Sequence, residues 1–277
     1  MRTLLFAPAG RPDLVAKLPR SQPDAVVLDL EDAVPATQKD SVRATLAGLV
    51  DRLRTDAPEL ATYVRVNALE TPWFDADVDA LPAGLAGVVV PKLEAREQLA
   101  RVTAALRRVG HVGLPVIAGV ETARGVLDVR DLLGGPVTAA YFGAEDYIAD
   151  LGGVRSAGSQ EVLYARSRVA LACRVAGVLA LDQVVVDIHD AEAFRADAAQ
   201  GRALGYRGKL CIHPSQVALA REAFTPSDEE VAAAHELLAE ADRAAADGRG
   251  VIVVDGAMVD EPMLRVARDT LARAGER

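Results

Sequence analysis

Short apolar runs recur along the chain, at residues 4–7, 25–30, 63–67, 87–91, 115–121, 139–142, 183–187 and 209–212. Most are continuous in character rather than alternating, the pattern of strands buried on both faces of a parallel sheet. Between most of them lie helix-length segments with apolar positions at helical spacing, most clearly at 94–109, 160–178 and 191–204. Eight strand–helix units predict an α/β fold of the TIM (β/α)8 barrel type. A doubly wound open sheet is the runner-up. Such a sheet more often carries a Gly-rich nucleotide turn after its first strand, and the chain holds neither GxGxxG nor GxxxxGK. A length of 277 residues accommodates one barrel, and a composition 51% hydrophobic but only 4% aromatic makes its core aliphatic and Ala-rich.

After the eighth unit the pattern changes. Ser227-Asp228-Glu229-Glu230 starts a helix with a capping box, running to about residue 246. Gly248-Arg249-Gly250 breaks it, residues 251–254 and 257–259 flank an Asp255-Gly256 turn as a small hairpin, and a last helix begins near Asp260 and Pro262. We therefore expect a catalytic barrel over 1–224 and an extension over 225–277, acting as a lid or a subunit-packing arm.

The net charge of −9 argues against general affinity for nucleic acid or an anionic membrane surface, so an anionic ligand needs a local cationic patch. Cys173 and Cys211 lie in apolar runs without metal or redox spacing and read as reduced core thiols. The opening Met1-Arg2-Thr3-Leu4-Leu5-Phe6 is interrupted by Pro8, Gly10 and Arg11 too soon for a signal peptide, and no window reaches a membrane span. The expectation is a cytoplasmic protein.

The chemistry-bearing residues gather where the strands end. Glu121 closes VIAGVE and Asp146 closes AYFGAED, and in an α/β fold strand ends face the ligand-binding side of the sheet. Two such carboxylates suit magnesium, which takes oxygen ligands and leaves positions for water and substrate. The same acids would equally serve as buried groups satisfied by Arg124, Arg65 or helix N-termini. Arg65 can grip a carboxylate or a developing enolate with its planar fork, or pair with Glu31 or Asp32. Lys92 stands among acids that raise its pKa, which disfavours a Schiff base and favours an electrostatic role or a plain ion pair. Asp29, Glu31 and Asp32 form a supporting cluster that orients Arg65 and Lys92. His213 reads as a structural residue, Arg155 lies in a glycine-flanked loop, and Asp260 reads as the N-cap of the final helix.

Taken together, FAPAGRPDL, VVLDLEDAV, VRVN, VVPK, VETARG, FGAEDY, CIHPSQ and DGAMVDEP resemble the citrate lyase beta-subunit family of the HpcH/HpaI aldolase group, in family order over nearly the whole chain. The resemblance implies the barrel, trimers or hexamers, and Mg2+ held by Glu121 and Asp146. It makes Arg65 the substrate-carboxylate or enolate residue, Phe6, Arg11 and Lys17 the CoA contacts, and Asp260 a general acid/base reaching into a neighbouring subunit's site. The first loop departs from the family's Pro-Gly-x-Arg-Pro, reading Pro8-Ala9-Gly10-Arg11-Pro12. The implied reaction is carbon–carbon cleavage of a 3-hydroxy-3-carboxyl acyl thioester, of the citryl-, malyl- or citramalyl-CoA type. The alternatives are a malate-synthase-like condensing thioesterase, an aldolase on free 2-oxo acids, and a beta subunit that depends on an acyl-carrier protein.

Overall fold

Runs of Val, Ala and Leu with every residue buried, such as Ala25–Asp29 and Val116–Val120, exclude water from both faces and so form the inner wall of a closed sheet. The computed structural model describes residues 1–156, 158–246, 252–254 and 257–275. Its eight parallel strands close into a barrel in sequence order. They are β1 (Thr3–Pro8), β2 (Ala25–Asp29), β3 (Ala61–Arg65), β4 (Gly87–Val90), β5 (Val116–Val120), β6 (Val137–Phe142), β7 (Leu179–Asp182) and β8 (Gly208–Cys211). Helices fill the connections: α1 (Pro12–Val15), α2 (Lys39–Asp56), α3 (Phe74–Asp79), α4 (Arg96–Arg108), α5 (Ala123–Leu132), α6 (Ala144–Leu151), α7 (Gln160–Ala176), α8 (Ala191–Leu204) and α9 (Pro214–Phe224). This is the TIM-barrel arrangement.

The barrel interior is packed by Leu4, Val27, Val89, Ile117, Leu181 and Leu210, with Ala25 and Ala139 between them. Tyr141 is the one aromatic ring fully inside this cluster, in keeping with an aromatic-poor chain. β8 closes on β1 with Lys209 opposite Thr3, and Gly208 is required there because a Cβ would meet the carbonyl oxygens of Met1 and Arg2. Cys173 and Cys211 are buried free thiols, each pushed up to about 12 by burial.

Between the sheet and its helices lies a buried ion cluster. Arg166 of α7 holds Asp182 of β7 through two bonds of 2.8 and 2.7 Å, and Lys209 of β8 reaches Asp182 at 2.7 Å and also pairs with Asp197 of α8. This cluster explains a correction to the sequence reading. The seventh strand is Leu179–Asp182, not 183–187. The triple valine 184–186 drew the strand assignment, but an internal acid could enter the sheet because two buried cations neutralise it. Val186 is instead 61% exposed in the following loop. A second correction concerns Asp146. β6 ends at Phe142 and Gly143 caps α6, so Asp146 sits in the first turn of that helix rather than on a strand end. An acid there is favoured by the unpaired N–H groups of the helix start.

The chain divides into two units, Met1–Glu222 and Ala223–Arg277. In the second, α10 (Asp228–Ala246) packs on α11 (Glu261–Ala274) through Ala234, Leu238, Ala267 and Leu271, and β9 (Ile252–Val254) pairs antiparallel with β10 (Ala257–Val259). The capping box forms, with Ser227 N–H donating to Glu230 at 2.8 Å and Glu230 N–H to Ser227 Oγ at 3.2 Å. Asp260 occupies the N-cap position of α11, but its side chain makes no capping hydrogen bond. The expected Gly248-Arg249-Gly250 break, Val251, the Asp255-Gly256 turn and Ala157 lie outside the described residues. Among the described residues no helix is long and apolar enough to cross a membrane.

Removing Asp182 leaves Arg166 and Lys209 buried with Asp197 as their one remaining acid. Asp182→Ala is expected to lower the urea-unfolding free energy by about 3–5 kcal/mol. Arg54→Ala, which breaks the exposed Arg54–Asp51 pair, is expected to change it by less than about 0.5 kcal/mol.

Candidate active site

At the C-terminal mouth of the barrel, β2 and β3 end on residues that face each other in register, Asp29 and Arg65. The Arg65 guanidinium donates from Nε and Nη2 to the two Asp29 oxygens, each at 2.7 Å. Its Nη1 lies 2.9 Å from Glu31, and Asp32, mostly exposed, stands 3.6 Å from Nη2. The Phe6 ring underlies the same guanidinium at 5.3 Å. The loop carrying Glu31 is pinned by Lys39, a residue not singled out by the sequence analysis. Lys39 is buried and donates to the carbonyls of Leu30 (2.9 Å) and Glu31 (3.0 Å) and to Asn67 (2.6 Å). Asn67 is fixed in turn by the buried Asp77, through bonds of 2.8 and 2.6 Å.

Lys92 links this cluster to the two carboxylates singled out in the sequence. Its ammonium donates to Glu31 at 2.6 Å and lies 3.3 Å from Asp146. Its backbone adopts φ 52°, a left-handed conformation unusual for lysine, and from it the Lys92 N–H donates to Glu121 Oε1 at 2.9 Å. Burial alone would lower the Lys92 pKa, but Glu31, Glu121 and Asp146 outweigh it and hold the amine protonated. That state cannot form a Schiff base at neutral pH.

Glu121 is buried at the end of β5, and its pKa is pushed up to about 8 by burial and by the charges of Glu31 and Asp146. Its Oε2 occupies the space where a side chain on Gly143 would begin, so the glycine is what admits the carboxylate. Beside it the Tyr141 hydroxyl is buried without a hydrogen-bond partner, and burial and Glu121 raise its pKa well above the ordinary tyrosine value. Among the described residues no group of three or more His, Cys, Asp or Glu is arranged to hold a metal ion. The donors that Glu121 and Asp146 supply are two hard oxygens in a strongly negative setting. They fit a cation such as Mg2+ that takes its remaining ligands from water and substrate.

Phe6, Arg65, Glu121, Tyr141 and Asp146 line one cavity of about 420 Å³, together with Asp29 and Asp32. Arg11 and Lys17 do not line it: Arg11 is exposed and paired with Asp13 at 2.9 Å, and Lys17 precedes a short 3-10 turn, Leu18–Ser21. His213 bonds to Ser215 in the first turn of α9, and Asp187 and Arg155 line a neighbouring cavity. Tyr141 and Lys39 were missed because a tyrosine inside an apolar strand reads as packing, and a lysine at a helix start reads as solvated.

Two measurements follow from this geometry. Glu121 and Glu31 both carry folded-state pKa values above their unfolded ones, which stabilises the cation-free protein at low pH and is lost as pH rises through the folded values. The unfolding free energy in chelator is expected to fall between about pH 4.5 and 8, less steeply in Glu121→Gln. Gly143→Ala, which obstructs Glu121 Oε2, is expected to weaken divalent-cation binding by about 10- to 100-fold in calorimetry.

Residues 2–214 match the family model described as HpcH/HpaI aldolase/citrate lyase. The chain is 54% identical over 275 residues to the citrate lyase subunit beta-like protein of Deinococcus radiodurans, covering 98% of this chain and 96% of that one. It is 35% identical over 303 residues to the L-malyl-CoA/beta-methylmalyl-CoA lyase of Cereibacter sphaeroides, covering 99% and 94%. A crystal structure of the protein CitE from Mycobacterium tuberculosis in complex with magnesium, acetoacetate and coenzyme A is similar with a TM-score of 0.83 at 37% identity, covering 99% of this chain and 98% of that one. The chain belongs to the HpcH/HpaI aldolase/citrate lyase family, in its citrate lyase beta-subunit branch, and is a lyase.

Proposed function

We propose that this lyase cleaves the carbon–carbon bond of a 3-hydroxy-3-carboxyl acyl thioester, with Mg2+ held by Glu121 and Asp146. The observation that carries the reading is Glu121 itself. It is a buried carboxylate with one oxygen fixed by the Lys92 N–H and the other open beside Gly143, its charge unfavourable until a cation joins it. A bound Mg2+ would supply Lewis acidity at the substrate's hydroxyl and carboxylate oxygens.

The chain's own residues supply the rest. Asp29 takes two of the five N–H donors of Arg65 and locks the fork, and the guanidinium, at the cavity wall, meets the thioester oxygen. Loss of the hydroxyl proton to a base lets the C2–C3 bond break: its electron pair moves to C2 as a thioester enolate, and C3 becomes the carbonyl of a 2-oxo acid. Arg65 stabilises the enolate oxygen, which raises the rate because that charge exists only along the reaction path. A proton delivered to C2 completes the acyl thioester. Asp260 is the donor in this reading, carried by the 223–277 unit into the site of a neighbouring copy in a trimer or hexamer. Its side chain makes no cap for α11, which leaves the carboxyl uncommitted to that helix. Phe6, Arg11 and Lys17 would meet the CoA or acyl-carrier end of the substrate, the two exposed cations providing the local positive charge that a −9 chain otherwise lacks.

The test is product formation from malyl-CoA, citramalyl-CoA and citryl-CoA, with magnesium and with chelator. Magnesium-dependent release of a 2-oxo acid and an acyl-CoA from at least one of them is expected. Release of free CoA during condensation with glyoxylate would instead identify a condensing thioesterase. Glu121→Ala is expected to abolish turnover with an unchanged circular-dichroism spectrum, and Arg65→Lys to lower kcat about 100- to 1,000-fold. Full activity in Glu121→Ala would sink the assignment.

A further inference from the structure

Resting on that reading, we infer that Tyr141 is a positioning residue for the cation, its hydroxyl donating to the Glu121 carboxylate that holds Mg2+. Tyr141 stands on the inner face of β6, packed with Val89, Ile117 and Leu181, and it lines the 420 Å³ cavity. The ring belongs in that apolar cluster, but the hydroxyl does not. Its oxygen is shielded from solvent and has no hydrogen-bond partner. A buried donor left unsatisfied destabilises a fold, and phenylalanine would pack the same ring without that penalty. Packing therefore accounts for an aromatic residue at this position and leaves the oxygen unexplained.

The surroundings of the oxygen point to its acceptor. In the β5–β6 ladder Tyr141 lies opposite Gly119, and Phe142 opposite Val120. The ring crosses β5 at that glycine, where a Cβ would come within 2.5 Å of the hydroxyl oxygen and 2.8 Å of Cζ. Glu121 follows two residues after Gly119, and residues two apart along a strand project to the same face. Its carboxylate and the hydroxyl thus occupy neighbouring layers of the barrel interior. Burial raises the pKa of the phenol most, and the charge of Glu121 acts on it next, ahead of that of Glu31. The geometry falls short of a formed bond. Other groups nearby are unsuited or engaged. Arg65 and Lys92 carry side-chain donors only. The Gly119 carbonyl accepts the Leu93 N–H at 3.0 Å, and Glu31 meets Lys92 with Oε1 at 2.6 Å and Arg65 with Oε2 at 2.9 Å. Glu121 accepts the Lys92 N–H on Oε1 at 2.9 Å and retains capacity for a second donor. As a cation ligand it is a charged acceptor, to which a phenol makes a short, charge-assisted bond. Hydrogen bonds of this kind orient a ligating carboxylate and raise its affinity for the metal. Lys92 just past β4 and Tyr141 of β6 flank β5 on its two sides, and together they hold Glu121 in place.

Tyr141→Phe removes the hydroxyl and keeps the ring. Calorimetric titration of this variant with Mg2+ alone is expected to give a dissociation constant about 10- to 100-fold above that of the unaltered protein. Its urea-unfolding midpoint in chelator is expected to be unchanged or higher, because an unsatisfied donor has gone. In turnover, the Mg2+ concentration giving half-maximal rate is expected to rise by more than kcat falls. Unchanged Mg2+ affinity overturns the inference; a lower kcat alongside it assigns the hydroxyl to the substrate instead. A midpoint that falls in chelator assigns the hydroxyl to packing and also overturns it. Glu121→Ala, titrated in parallel, separates the two possible failures. Retained Mg2+ binding in Glu121→Ala, or none in the unaltered protein, sinks the reading of Glu121 as the ligand and the inference with it. Binding lost in Glu121→Ala but intact in Tyr141→Phe sinks the role of Tyr141 alone.

Discussion

The paired bonds between Asp29 and Arg65 hold the mouth of the barrel in its working form. The two residues are register partners at the ends of β2 and β3, so the ion pair ties neighbouring strands at the point where chain leaves the sheet. Arg65 also accepts the Leu30 N–H on its carbonyl, which turns the next residues back over the barrel. Glu31 then falls between Arg65 and Lys92, and Lys92 between Glu31 and Asp146. Each charge is acceptable inside only because the next one compensates it. Removing the first would leave the others buried against like charges.

A second network shows what such a cluster looks like when it has only a packing role. Between sheet and helices, Arg166 and Lys209 meet Asp182 and Asp197, two cations for two acids, and the set is neutral within itself. The mouth is not neutral. Asp29, Glu31, Glu121 and Asp146 outnumber Arg65 and Lys92 there, and the imbalance falls on Glu121, whose pKa burial, together with the charges of Glu31 and Asp146, lifts to about 8. Balanced buried charge marks a joint in the scaffold. Unbalanced buried charge marks a place where something else is to be bound.

The barrel was legible in the sequence because its strands are apolar on both faces and its helices periodic, and both signals are local. The strand reading failed where burial depends on partners distant in the chain. Asp182 made residues 179–182 look unlike a strand, since Arg166 and Lys209, which neutralise it, lie 16 and 27 residues away. Lys39 and Asp77 went unnoticed for the same reason: each is polar in sequence and buried in the fold by Asn67 and the backbone at residues 30–31. The acids and cations at the mouth were recognised as a set, while the details joining them were not. A left-handed backbone at Lys92 and the space Gly143 leaves for Glu121 have no signature in residue type or spacing.

The displacement of β7 toward the N-terminus places the valines at 184–186 in a loop rather than in the sheet, with Val184 at the cavity. Strand β7 keeps its hold on the scaffold through Asp182, and the cavity wall begins only after it. Stability and ligand contact are thereby written in adjacent but separate letters of the chain. A lineage built on this barrel can rewrite the wall one residue at a time, and so drift among related substrates, without loosening the joint beneath it.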